Sequence, residues 1–127
     1  MSNPLLVMAP EPKDFTVTLE QFCAALDYWQ PHAHLINPLS TDTVDAGIEV
    51  DRPDQPAFQI LHSRNSDVLF SDGTPDQAIE VAIWAINTFP KTGPGEVWLV
   101  DEGYTGHAVL TPGMSADEVR TVWQEHQ

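Results

Sequence analysis

The chain has 127 residues, the size of one ordinary domain, and its 42% hydrophobic content, with four Trp and five Phe, excludes an intrinsically disordered chain. Five Lys and Arg stand against 19 Asp and Glu, a net charge of −14, which works against nucleic-acid binding by counterion release and against attachment to anionic membrane. The one cysteine, Cys23, permits no internal disulfide, so a reducing, cytoplasmic setting is expected.

Residues 1–14 read as an N-terminal arm, because Pro4, Pro10 and Pro12 bracket the short apolar run Leu5-Leu6-Val7-Met8. That run is shorter than the roughly 7–15 apolar residues of a secretory h-region, and no Lys or Arg precedes it. Two readings of the arm stand side by side: a disordered tail, or an edge strand or arm that packs on the body or on a partner. A helix begins after Thr18, with Gln21 completing a capping box and Val17 and Phe22 forming a hydrophobic staple. Leu19, Phe22, Cys23 and Leu26 follow helical spacing, and Pro31 stops the run near Trp29.

Residues 31–45 read as a loop. Three short strands follow, over 47–51, 57–62 and 67–71, with turn chemistry between them, and so predict an antiparallel meander. The second helix carries Thr74-Pro75-Asp76-Gln77 at its start and a broad apolar stripe of Ala78, Ile79, Ala82, Ile83, Ile86 and Phe89. A helix apolar this far round is expected to be central. Strands over 96–101 and 106–110 form a hairpin, and Ser115 with Glu118 caps a last helix. Val97, Trp98 and Leu99 make the first strand of that hairpin apolar on both faces, which places it inside the sheet. The four Trp, at 29, 84, 98 and 123, are expected in the core.

The predicted order is α-β-β-β-α-β-β-α. The fold class is α+β: residues 15–127 form a single domain with one antiparallel sheet packed with helices. In element order, size and acidity the chain resembles the small secretion chaperones of bacteria, of the type III class I kind. The resemblance extends over most of the chain as element order and assigns no residue a role. It implies dimerisation and the binding of an extended segment of a secreted protein.

The densest polar cluster is the hairpin tip, Asp101-Glu102-Gly103-Tyr104-Thr105-Gly106-His107. Asp and Gly there are what tight turns require. Asp101, Glu102, Tyr104 and His107 are nevertheless the candidate partner-binding residues, with Tyr104 as an aromatic anchor. Asp101 and His107 could also act as a general acid–base pair if folding brought them together. His32-x-His34 is the most ligand-like pair, but a zinc site needs about four ligands and only Asp42 or Asp45 could be recruited. Cys23 lies on the apolar face of the first helix, where thiols are ordinarily packing residues. Asp67, Asp72, Asp76 and Glu80 do not have the spacing of a calcium loop. The phosphate-binding, dinucleotide and hydrolase signatures are missing.

No metal, cofactor or catalytic residue is therefore expected. The favoured reading is a non-enzymatic acidic module that inhibits or neutralises a basic protein, in the manner of a toxin-immunity protein or a phage-encoded modulator of a host factor. The alternatives are a homodimeric chaperone for an extended client, an enzyme with a site near Asp101 and His107, and a mimic of DNA charge.

Overall fold

The computed structural model describes residues 4–36 and 43–126. Three capping boxes fix the helix starts. Thr18 with Gln21 opens α1 (Leu19–Ala24), Thr74 with Gln77 opens α2 (Pro75–Thr88), and Ser115 with Glu118 opens α3 (Ala116–Val122). In each box the hydroxyl accepts the backbone N–H three residues on, and the side chain at that third position accepts the cap's own N–H. The first helix tightens after Ala24 into a 3-10 turn over Ala25–Trp29, and Pro31 follows through a cis peptide.

Eight strands make one sheet: β1 (Leu5–Met8), β2 (Ala33–Ile36), β3 (Val44–Val50), β4 (Phe58–Ser63), β5 (Val68–Ser71), β6 (Val97–Asp101), β7 (Gly106–Leu110) and β8 (Gln124–Glu125). Their order is β2-β3-β4-β5-β1-β6-β7-β8, with antiparallel pairing throughout. The meander β3-β4-β5 and the hairpin β6-β7 match the strands expected from alternation. The α+β class with one antiparallel sheet is what the structure has.

Three segments differ from the sequence reading, one of them the two-residue strand β8 after α3, which pairs with β7 where no strand is expected. The supposed arm contains the central strand: β1 joins the meander to the hairpin by pairing with both β5 and β6. The segment packs on the body, as the second reading has it, but between two strands instead of at an edge. Four consecutive apolar residues without alternation are what a strand covered by neighbours on both edges can use, and the flanking prolines only bound it. The third difference is β2, within the region read as loop. Ala33 to Ile36 pair with Val50 to Gly47, too short a run between Pro31 and Pro38 for periodicity to show. Residues 37–42 of that loop lie outside the described residues.

The helices gather on one side of the sheet. Val7, Leu69, Leu99, Ile60, Phe58 and Leu110 point toward them and are almost wholly buried. Trp84 of α2 sits at the centre of an aromatic cluster, 5.5 Å from Trp29, 5.2 Å from Phe89 and 6.4 Å from Phe22 by ring centroids. Such edge-on pairs add about 0.5–1.5 kcal/mol each beyond the area they bury. Arg52 lies over the Trp29 ring at 5.3 Å and forks both guanidinium nitrogens onto Glu80, at 2.8 and 2.9 Å. That bidentate pair clamps α2 to the turn before β4.

Candidate functional site

Among the described residues, the sheet's second face carries none of the three helices. Side chains alternate across a strand, so residues neighbouring the core positions point the other way. One continuous register crosses that face. Ile36 pairs with Gly47, Gly47 with Leu61, Leu61 with Phe70, Phe70 with Leu6, Leu6 with Val100, and Val100 with His107. Ile36, Leu61 and Phe70 are half-buried, whereas Leu6 and Val100 in the same register are buried. Gly47 makes the near end continuous: a Cβ there would lie 2.9 Å from both Ile36 Cγ1 and Leu61 Cδ2, so only glycine lets those two side chains close over the strand. A second apolar row runs beside the first, with Val68, Met8, Trp98 and Val109 in register.

The other flank is acidic. Glu49 pairs across to Gln59 in the register and lies 3.5 Å from His34. Asp72 accepts the Gln59 N–H at 2.7 Å. Asp72 and Glu102 stand at the rim of a groove of about 270 Å³ floored by Leu6, Leu61 and Phe70. The open face is thus an apolar band with carboxylates along one margin.

The hairpin tip closes the far end, and the four residues singled out in sequence take different parts. Asp101 holds the turn. Its Oδ1 accepts the N–H groups of Thr105 at 2.7 Å and Gly106 at 3.2 Å, and its Oδ2 accepts the Thr105 hydroxyl. Burial pushes the Asp101 carboxyl up, but these bonds outweigh it and hold the group below the usual carboxylate range. Glu102 donates its backbone N–H to Pro4 and is exposed. Tyr104 is 53% exposed and adopts the left-handed backbone (φ 56°), a conformation that costs a non-glycine residue energy. It reaches back to the open face, its hydroxyl 3.8 Å from Met8 Sδ.

His107 stacks on Trp98, with centroids 4.0 Å apart, and its Nδ1 lies 2.7 Å from His126 Nε2. His126 Nδ1 faces the Tyr104 carbonyl at 2.6 Å and must be its donor. In the neutral ring His126 Nε2 is then the acceptor, and His107 Nδ1 donates to it. Tyr104 and His107 are therefore joined through His126, a residue that sequence reasoning misses because its partners lie 19 and 22 positions away.

Asp101 and His107 do not form an acid–base pair. Asp101 shares the helix-covered face with Leu99, whereas His107 is in register with Val100 on the opposite face. Strand alternation separates them, and the hairpin cannot bring the two side chains together without slipping by one residue.

The buried polar contact of the fold lies elsewhere. His62 is fully buried on β4, with Nδ1 2.6 Å from Asp45 Oδ1 and Nε2 2.6 Å from the Val17 carbonyl. A bulge between Val44 and Ala46 turns Asp45 toward the helices. Folding thus recruits Asp45 to His62 and not to His32 and His34. Cys23 lies in the same region, but burial pushes its thiol up and the Asp45 charge pushes it further, the reverse of what activates a nucleophile. The remaining acids have separate structural partners: Asp67 with Ser63, Asp76 with Arg120, Glu80 with Arg52. Among the described residues no three His, Cys, Asp or Glu side chains are grouped to hold a metal ion, and no helix is long and apolar enough to cross a membrane.

No family model, curated protein or solved structure matches the chain.

Proposed function

We propose that this protein is a non-enzymatic acidic binding module whose open sheet face receives the apolar side of a basic segment of another protein and so masks or neutralises it. The observation that carries this reading is the partly exposed apolar row of Ile36, Leu61 and Phe70 with Glu49, Asp72 and Glu102 along its flank. Apolar surface supplies the binding free energy, and the carboxylates select for cationic partners and speed encounter. Tyr104 and Trp98, at the hairpin end, are the aromatic residues placed to anchor the contact.

The charge argues against a second copy as the occupant. Two chains of −14 would meet with acids on both sides, a like-charge contact that costs affinity. A DNA mimic would have no use for an apolar centre between its charges. An extended client of the chaperone kind needs a sheet edge or a long apolar groove, and an isolated dimer would point to it.

The test is comparative capture from lysate of the source cell by the wild-type chain and by Phe70→Ser and Glu49→Lys/Asp72→Lys variants. The reading expects one basic protein on the wild type, released by salt, absent from Phe70→Ser and weakened on the charge variant. A partner that binds all three baits equally, or one that is acidic, would refute it.

A further inference from the structure

On the helix-covered side, a cleft of about 450 Å³ opens between the start of α2, the α3 helix and strands β1 and β6. Leu5, Ile79, Leu99, Val119 and Trp123 make its walls, with Asp101 and Arg120 at its mouth. We infer that this cleft binds a small organic amine, whose apolar body lies among Leu5, Leu99 and Val119 and whose ammonium group meets the Asp101 carboxylate beside the Trp123 ring.

Three observations support the assignment. First, the volume falls within the roughly 300–1,000 Å³ of small-molecule sites, and the lining has the usual form of an apolar wall with few polar groups. Second, the two charged groups at the mouth are not equivalent. Arg120 is committed to Asp76 at 2.7 Å and Asp117 at 3.0 Å, so its charge is already answered. Asp101 accepts only neutral donors from its own turn, Thr105 and Gly106. Its negative charge has no countercharge among those contacts, and a cation is the ligand that supplies one. Third, the aromatic wall is held in place. A Cβ on Gly106 would come within 2.6 Å of Trp123 Nε1 and Cζ2, so the indole rests on bare backbone next to the Asp101 turn. A carboxylate and an indole converging on one opening are the pair of groups that ammonium recognition uses. The net charge of −14 further disfavours an anionic ligand.

This site is independent of the open sheet face, since Leu5 and Leu99 point away from the row containing Leu6 and Val100. Its failure would leave the protein-binding proposal untouched.

The experiment is a titration of the full chain at neutral pH with isobutylamine, 2-phenylethylamine and tryptamine, with 3-phenylpropionate as the anionic control. Binding is read by calorimetry and by the indole N–H resonance of Trp123, assigned with a Trp123→Phe variant. The expected result is saturable binding of at least one amine, a Trp123 shift, and binding of the carboxylate at least tenfold weaker. Leu5→Trp, which fills the cleft from a partly exposed position, should abolish amine binding, and Asp101→Asn should weaken it at least fivefold. Thermal unfolding of each variant establishes that the fold is kept; if Asp101→Asn unfolds, Leu5→Trp alone decides the question. Absence of saturable binding by all three amines, equal binding of the carboxylate, or undiminished binding by folded Leu5→Trp would overturn the inference.

Discussion

The two faces of this sheet are built from the same strands and have opposite fates. On one, Phe58, Ile60, Leu69 and Leu99 disappear beneath Trp29, Trp84 and Phe22. On the other, Leu61, Phe70, Met8 and Trp98 alternate with them one residue out of step and stay half-buried. Strands apolar on both sides ordinarily have both sides covered. The helix-covered face holds the fully buried aromatic cluster, whereas Leu61, Phe70, Met8 and Trp98 keep part of their apolar surface toward solvent. The first way to break this comparison is to remove the centre of the covered face. Trp84→Ala should destabilise the fold by about 3–5 kcal/mol, the range for truncating a large buried aromatic, measured by denaturant unfolding. A loss below about 1 kcal/mol would mean that the aromatic cluster is not the stabilising core.

The next largest effect belongs to the buried polar contact on the same side. Both ring nitrogens of His62 face acceptors at 2.6 Å. Satisfying them needs a hydrogen at each contact, one on Nε2 for the Val17 carbonyl and one between Nδ1 and the Asp45 carboxylate. Asp45→Ala leaves the buried His62 Nδ1 without its partner and should cost about 2–3 kcal/mol. Asp45→Asn keeps an acceptor oxygen in place and should cost roughly half as much. If the alanine and asparagine variants unfold at the same denaturant concentration, the carboxylate contributes through packing rather than through the bond to His62.

How much of this was legible in sequence follows the range of the interactions. The three capping boxes are local, span four residues and could be read directly. So could the meander and the hairpin, whose strands are adjacent in the chain. The central position of β1 could not be read, because its partners in β5 and β6 lie some 60 to 95 residues on and four apolar residues have no period of their own. At the site, the turn role of Asp101 and the exposure of Tyr104 were legible from turn chemistry. The opposed faces of Asp101 and His107 follow from strand alternation once the register is known, and the chain itself does not state the register. The cross-strand apolar row, His126 and the His62–Asp45 contact exist only after folding. Trp98 and Trp123 were expected in the core with the other two, yet both are half-buried and line the open face and the cleft. A strand that is apolar on both sides does not reveal which side will be covered.

Below both changes on the covered face in expected size is the clamp of Arg52 on Glu80. The bonds from Arg52 outweigh burial and, with the bond from Tyr28, hold the Glu80 carboxyl below its usual value. A carboxyl with a depressed folded value adds stability that is present above its unfolded value, about 4.3, and is lost as pH falls through the folded one. Glu80→Gln should therefore cost about 1 kcal/mol at pH 7. Its deficit relative to wild type should shrink as the pH drops below about 4, where the wild-type carboxyl takes up a proton. A deficit that stays constant from pH 7 to pH 3 would show that the ion pair contributes nothing that titrates.

An equally small stability effect is expected where the functional effect is largest. Phe70 lies on β5 in register with Leu61 and Leu6, and it remains half-buried because no helix among the described residues covers it. Phe70→Ser removes apolar area that is already partly in water, so its cost should be about 1 kcal/mol, well below that of a core truncation. Capture of the basic partner should nevertheless be lost, because the groove between Phe70, Leu61 and Leu6 is the apolar centre of the proposed contact. The comparison sharpens if Phe70→Ser and Trp84→Ala are measured together. A Phe70 cost comparable to that of Trp84 would place Phe70 in a core closed by some other part of the molecule. A small cost with capture intact would separate the open face from binding and turn attention to the hairpin tip, where Tyr104→Ala tests the remaining anchor.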